Sequence, residues 1–244
     1  MNRKRKVCVV ITARPSYSRI RTALTAIRDH EGLELQLVIA ASALLDRYGN
    51  AAKVIEREGV KIDRTVFMVL EGESLVTSAK TTGIGLSELA TVFNDLKPDM
   101  VVSIADRYET IATSIAAAYM NIPLVHVQGG EVTGSIDEKT RHANTKLADI
   151  HLVSCDNARD RVIRMGENPD MVFVTGCPSI DLAKEALAND SGNVAALIGK
   201  YTGVGAPVDA SKSYMVVMQH PVTTAHDEAR QHMQFTLEAV HATG

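Results

Sequence analysis

The chain has 244 residues, with 26 Lys and Arg against 29 Asp and Glu, a formal charge of −3, no tryptophan and few other aromatics. That length gives ample core for one large or two small domains. The mild charge balance argues against a nucleic-acid or polyanion partner, and no apolar run approaches the length needed to span a membrane. The basic start Arg3-Lys4-Arg5-Lys6 resembles a signal-peptide lead, but the apolar run behind it is cut short by Arg14-Pro15, so it reads as a solvated entry to a strand. Cys8, Cys155 and Cys177 are odd in number and form no CxxC pair, as expected for reduced thiols in a cytoplasmic protein.

In chain order, short apolar, β-branched runs alternate with helical patterns. Strands are expected over 7–12, 35–40, 62–69, 100–104, 124–127, 150–154 and 171–174. Helices are expected over 18–30, much of 44–58, 74–96, 111–120, from Asp137 onward, 157–165 and 179–188, with Gly83 and Gly85 interrupting the third of these. Asp137 is read as an N-cap, which would place Arg141 and Thr145, and His142 and Lys146, one turn apart. The strands are continuously apolar rather than alternating, which points to a parallel sheet covered on both faces and built from βαβ units. The fold class is therefore α/β, with a Rossmann-like parallel sheet.

Three segments follow from this pattern: 1–176 as the Rossmann-like domain, 177–213 as connecting helices and a loop rich in Gly, Ala, Pro and Ser, and 214–244 as a first βα unit of a second domain. That last unit is read as a strand over 214–218 and a helix over about 227–240. One strand and one helix cannot bury a sheet, so the sequence is expected to continue past Gly244 or to be completed by a partner.

In parallel sheets of this kind, ligands bind at the carboxyl ends of the strands. Four such ends carry chemistry. The first holds Arg14, Pro15 and Ser18 without a GxGxxG or GxxxxGK[ST] pattern, which argues against a dinucleotide site or a P-loop. Arg14 there reads either as a phosphate ligand at a helix N-terminus or as a surface turn. The second is Ala105-Asp106-Arg107-Tyr108-Glu109, where Asp106 and Arg107 either bind a ligand or cap the next helix. The third runs from His126 through Gln128, Gly129-Gly130, Glu131 and Asp137 to Arg141 and His142. Its glycines permit a sharp turn, and His126 reads as a core histidine. A metal set of His126, Glu131 and His142 matches no ligand spacing such as HExxH, so no metal is expected. The fourth is Gln219-His220-Pro221, either a ligand contact from the second domain or a helix cap.

Taken together, ARPSYS, ADRYE, HVQGGEVTGSIDEKTRHANTKLADIH, GCPSID and QHPVTT resemble the hydrolysing UDP-N-acetylglucosamine 2-epimerases of sialic acid (nonulosonate) synthesis. The resemblance implies a glycosyltransferase-B-like pair of Rossmann domains, here with the second incomplete, and no cofactor. It also implies conversion of UDP-GlcNAc and water to ManNAc and UDP, by elimination to a 2-acetamidoglucal and then hydration. Asp106, Glu131 and Asp137 match the family's acidic positions. Arg14, Ser18, Arg107 and His220 match its nucleotide-contacting ones, with Arg141 and His142 as further substrate-binding candidates. The partners implied are a nucleotide-sugar and further copies of the same chain.

Two departures stand out. Ala105 replaces a frequent glycine, a small change unless φ is positive there. Gln128 stands where many members carry glutamate, and it can orient a hydroxyl or water but cannot exchange a proton. Two alternatives follow: the same chemistry on a UDP-linked 2,4-diacetamido-trideoxyhexose, or an inactive or regulatory sugar-nucleotide-binding fragment.

Overall fold

The computed structural model describes residues 3–72, 74–133, 136–189, 194–200, 204–206, 208–209, 211–220 and 227–243. Its first compact unit, Met1–Leu182, is a seven-stranded parallel sheet in the order β3-β2-β1-β4-β5-β6-β7. In chain order its elements are β1 Arg5–Ile11, α1 Arg14–Asp29, β2 Leu33–Ala40, α2 Ala51–Arg57, β3 Arg64–Val66, α3 Leu75–Leu96 and β4 Met100–Ile104. Then follow α4 Thr110–Tyr119, β5 Leu124–Val127, α5 Ile136–Leu147, β6 Ile150–Val153, α6 Asp156–Arg164, β7 Val172–Val174 and the start of α7 Pro178–Ala188, within which the first unit ends. The α/β, Rossmann-like architecture read from the continuous apolar strands is the one observed.

Each strand feeds both faces because successive side chains point opposite ways. From β1, Val7, Val9 and Ile11 join one core with Tyr17, Ile20, Leu24, Leu37, Ile39 and Ile55. Cys8 and Val10 join the other, with Val38, Leu89, Phe93, Val101, Ala112, Ala116 and Leu124. Each fully buried aliphatic side chain contributes about 1.5–3 kcal/mol. The order reverses between β1 and β4, and the switch point this creates lies at the carboxyl ends where ligands are taken.

Several sequence expectations need correction. The pattern over 44–58 yields two 3₁₀ turns, Ala41–Leu44 and Asp46–Tyr48, and only a short α2, because Gly49 and Asn50 both adopt left-handed backbone (φ 83° and 35°). The strand expected over 62–69 shrinks to Arg64–Val66. By contrast, α3 runs unbroken through Gly83 and Gly85 from a capping box in which Ser74 and Thr77 satisfy each other's backbone N–H. Gly85 has a packing role: a Cβ there would lie 2.2 Å from the Met68 methyl, so tertiary contact outweighs its poor helix propensity. Asp137 does not cap α5 but lies inside its first turn, since the helix begins at Ile136.

The second unit, Ala183–Gly244, contains α8 Val194–Lys200 and α9 Ala229–Ala242. Tyr214–Met218 forms no ladder with any described residue and its side chains are exposed. The expected strand there is therefore corrected to an unpaired apolar segment, as a strand needs a neighbour to satisfy its backbone groups. Of the QHPVTT motif, Gln219 and His220 are described, while Pro221, Val222, Thr223 and Thr224 lie outside the described residues. No helix among the described residues is long and apolar enough to cross a membrane.

Candidate active site

Five residues of the first unit meet along the edge where β4 and β5 end. Asp106 follows β4 by two residues, and its carboxylate accepts a hydrogen bond from the Arg141 guanidinium, which is 1% exposed. The other Arg141 terminal nitrogen donates to the backbone oxygen of Glu131 at 2.9 Å. One guanidinium thus ties the β4 end to the loop after β5, and a buried ion held this way must be paired and hydrogen-bonded to be tolerated. Asp137, in the first turn of α5, senses Asp106, Arg107 and Arg141. Burial, and next the nearby negative charge of Asp106, push its carboxyl above the ordinary carboxylate range, against the pull of the two arginines.

Arg107 is aimed by Glu109, whose Oε1 accepts from its Nε at 2.8 Å. Glu109 is itself 1% exposed and its other oxygen, Oε2, has no hydrogen-bond partner among the described residues. Burial raises the Glu109 carboxyl, opposed by Arg107. Thr110 donates to the backbone oxygen of Arg107 at 2.7 Å, fixing the turn into α4. Asp106 does not cap that helix; its side chain is spent on Arg141.

After β5 the chain passes through Gln128 and the double glycine. Gln128 has φ 63° and is 5% exposed. Its Oε1 receives Arg19 at 3.5 Å and its Nε2 donates to Cys177 Sγ at 3.0 Å. A Cβ on Gly129 would stand 2.8 Å from Thr145 Oγ1, and one on Gly130 would stand 2.3 Å from the Ala158 backbone oxygen. The two glycines are therefore required by close approach, with a positive φ added at Gly130. Arg161 donates to the Gly130 oxygen, and the Glu131 carboxylate accepts from Ser154 Oγ at 2.7 Å.

His126 is wholly buried, with Nε2 2.9 Å from the Ala105 oxygen and Nδ1 3.1 Å from Thr145 Oγ1. Burial depresses it to about 4. It is the core histidine that its place in a strand suggests.

The structure thus brings Asp106, Arg107, Glu131, Asp137 and Arg141 to one edge. Arg14 and Ser18 are exposed at the β1–α1 turn, and Gln128 is enclosed between α1 and the segment after β7. His142 faces Glu138 at 3.9 Å on α5. His220 lies exposed in the second unit. Among the described residues no three His, Cys, Asp or Glu side chains converge as a metal site.

Sequence reading named Glu109 and Thr145 without giving them a role in the site, and missed Asn144 and Ser154. For Asn144 and Thr145 the signal was available in α5, whose buried face is Thr140, Arg141, Asn144 and Thr145. A helix that turns polar residues at i, i+3 and i+4 toward the protein is using them for something other than a core.

Fold and site together define a doubly wound α/β protein with an acid–arginine cluster at the carboxyl edge of its central strands. Within that class the chain belongs to the UDP-N-acetylglucosamine 2-epimerase family, whose sequence pattern matches residues 25–243. It is 30% identical over 239 residues to the UDP-N,N′-diacetylbacillosamine 2-epimerase (hydrolyzing) of Legionella pneumophila, covering 98% of this chain and 61% of that protein. It is 34% identical over 174 residues to the GDP/UDP-N,N′-diacetylbacillosamine 2-epimerase (hydrolyzing) of Campylobacter jejuni, covering 71% of this chain and 45% of that one. A crystal structure of a UDP-N-acetylglucosamine 2-epimerase superposes with a TM-score of 0.67 at 26% identity, over 75% of this chain and 51% of that chain. The chain spans about half to three fifths of the length of these relatives.

Proposed function

We propose that the protein acts in the hydrolysing 2-epimerisation of a UDP-linked 2-acetamido sugar. In this reaction a carboxylate takes the proton from C2 while the C1–O bond to UDP breaks, leaving a 2-acetamidoglucal and UDP. Water then adds its oxygen to C1, and a proton is delivered to the other face of C2, giving the free 2-epimer. Such chemistry needs two proton-transfer groups whose environments separate their tendencies to ionise. The observation that supports it is the meeting of Asp106 and Asp137 with Arg107 and Arg141 at the strand edge, in a chain of this family.

In this assignment Asp106 and Asp137 are the proton-transfer pair. Asp106 is ion-paired, while Asp137 is pushed toward its protonated form. Glu131, held by Ser154, is the third carboxylate. Gln128 orients a hydroxyl or water and transfers no proton. Arg14, Ser18, Arg107, His142 and His220 are assigned to substrate, with Arg107 aimed at the diphosphate by Glu109. Arg141 contributes through Asp106, because both terminal nitrogens are already engaged within the fold.

Two sugars are candidates. UDP-GlcNAc is favoured by the family as a whole, and a UDP-linked 2,4-diacetamido-trideoxyhexose by the names of the Legionella and Campylobacter relatives. Incubating the protein with each sugar in D2O tests the proposal. Release of UDP with one deuterium at C2 of the product is expected. Release of UDP without deuterium at C2 would reduce the reaction to plain hydrolysis, and binding without release would favour a regulatory sugar-nucleotide-binding role.

A further inference from the structure

Ala105, the residue before Asp106-Arg107, has φ 59°, a left-handed geometry that an alanine leaves unless its surroundings over-determine it. The surroundings here are a closed polar relay. The Ala105 oxygen accepts from His126 Nε2 at 2.9 Å and from Asn144 Nδ2 at 3.4 Å. Asn144 Nδ2 also donates to Thr110 Oγ1 at 2.8 Å, and Thr110 in turn donates to the Arg107 oxygen at 2.7 Å. Every one of these side chains is at least nine-tenths buried.

A carbonyl oxygen only accepts, so His126 must carry its proton on Nε2, and its Nδ1 accepts from the Thr145 hydroxyl. The histidine is a neutral donor of fixed tautomer. Burial holds it neutral through the range where a free imidazole titrates, so it is not itself a proton carrier at neutral pH.

We infer that His126, seconded by Asn144, is a positioning residue that clamps the Ala105 carbonyl and so turns the Asp106 carboxylate onto Arg141. The inference rests on the assignment of Asp106 to proton transfer, and it gives α5 a double grip on one turn. Asn144 and Arg141 lie one helical turn apart on its buried face; the first holds the peptide before Asp106 and the second holds its carboxylate. In effect, β5 and α5 set the geometry of an acid carried by β4.

The test is a double-mutant cycle between positions 126 and 106 read by urea unfolding, with turnover as a second readout. In the parent, Asp106→Asn leaves the buried Arg141 unpaired and should lower the folding constant by about tenfold or more. In His126→Phe the acid has already lost its orientation, so the same change should lower it by about threefold or less. His126→Gln, whose amide can still donate to the Ala105 oxygen, should restore the parental sensitivity. Should His126→Phe fail to fold, the cycle is run with Asn144→Leu.

Equal losses in both backgrounds would show that His126 merely fills the core, and would overturn the clamp. So would a ¹⁵N imidazole spectrum showing the Nδ1–H tautomer or the cation at pH 7. Where the protein turns over, His126→Phe should lower kcat more than it raises KM, with His126→Gln recovering kcat. Coupling in the unfolding cycle without UDP release by the parent would remove the proposed reaction and leave the clamp standing.

Discussion

Helices α4 and α5 pack side by side on the same sheet, yet they bury opposite kinds of surface. The inward residues of α4 are Ala112, Ala116 and Ala117 with small hydroxyls among them, while those of α5 are Thr140, Arg141, Asn144 and Thr145. On α4 the Thr113 and Ser114 hydroxyls have no partner among the described residues; they are buried as small fillers. On α5, Arg141 reaches Asp106, Asn144 reaches the Ala105 oxygen and Thr145 reaches His126. A hydrogen bond contributes only about 0.5–1.5 kcal/mol net, whereas leaving a buried polar group unpaired costs more. Polar residues on a buried helical face therefore mark where a fold holds a site in place, and α4 beyond Thr110, which itself joins that network at the first turn, shows what the same position looks like without that duty.

The largest expected effect attacks the polar helix directly. Arg141→Met removes the cation between Asp106 and the Glu131 carbonyl, and should cost about 3–5 kcal/mol in urea unfolding at neutral pH. A loss below 1 kcal/mol would mean that the pair is no more than a surface contact. The second effect comes from pH. His126 is depressed from 6.5 to about 4, so between those values the unfolded chain binds more protons than the folded one. The stability it contributes is complete above pH 6.5 and is lost as pH falls toward 4, by roughly 3 kcal/mol in all. Glu109 and Asp137, both raised, act with the opposite sign. The clean measurement is thus the difference between parent and His126→Gln, and a flat difference from pH 7 to 4 would contradict it.

The smaller effects sharpen the same contrast. Ala105→Gly relieves a left-handed alanine but adds freedom to the unfolded chain, so a net change within about 1 kcal/mol is expected, toward greater stability. Ser114→Ala on α4 removes a buried hydroxyl that has no partner among the described residues, and should cost less than about 0.5 kcal/mol by the same unfolding assay. A cost near that of Arg141→Met would erase the distinction between the two helices.

Much of this arrangement could be read from the chain alone. The runs at β4 and β5 are apolar and bounded by turn residues, so the sequence placed Asp106, Arg107, Gln128 and Glu131 at the carboxyl ends of these strands, where the structure has them. What could not be read was pairing across distance. Asp106 and Arg141 are 35 positions apart, and nothing local marks them as partners. The sequence placed Arg141 and Thr145 one turn apart, but the usual search for helical periodicity follows apolar residues, so it did not mark them, with Asn144, as a buried face. The left-handed turn at Ala105 (φ 59°) cannot be read from alanine itself; its one signal was the glycine that the resembled family often carries there. Gly83 and Gly85 misled in the other direction, since their propensity says break while the contact of Gly85 with Met68 says continue. Tyr214–Met218 has the composition of a strand, but composition cannot supply the neighbour that a strand requires.

The measurement that tests the central claim most directly is the rate of UDP release from the UDP-sugar by Asp106→Asn beside the parent. Loss of a positioned proton-transfer group predicts a fall of about 10²–10⁴-fold with the Arg141 partner still in place. Unchanged turnover would contradict the assignment of Asp106, and with it the purpose given to the polar face of α5.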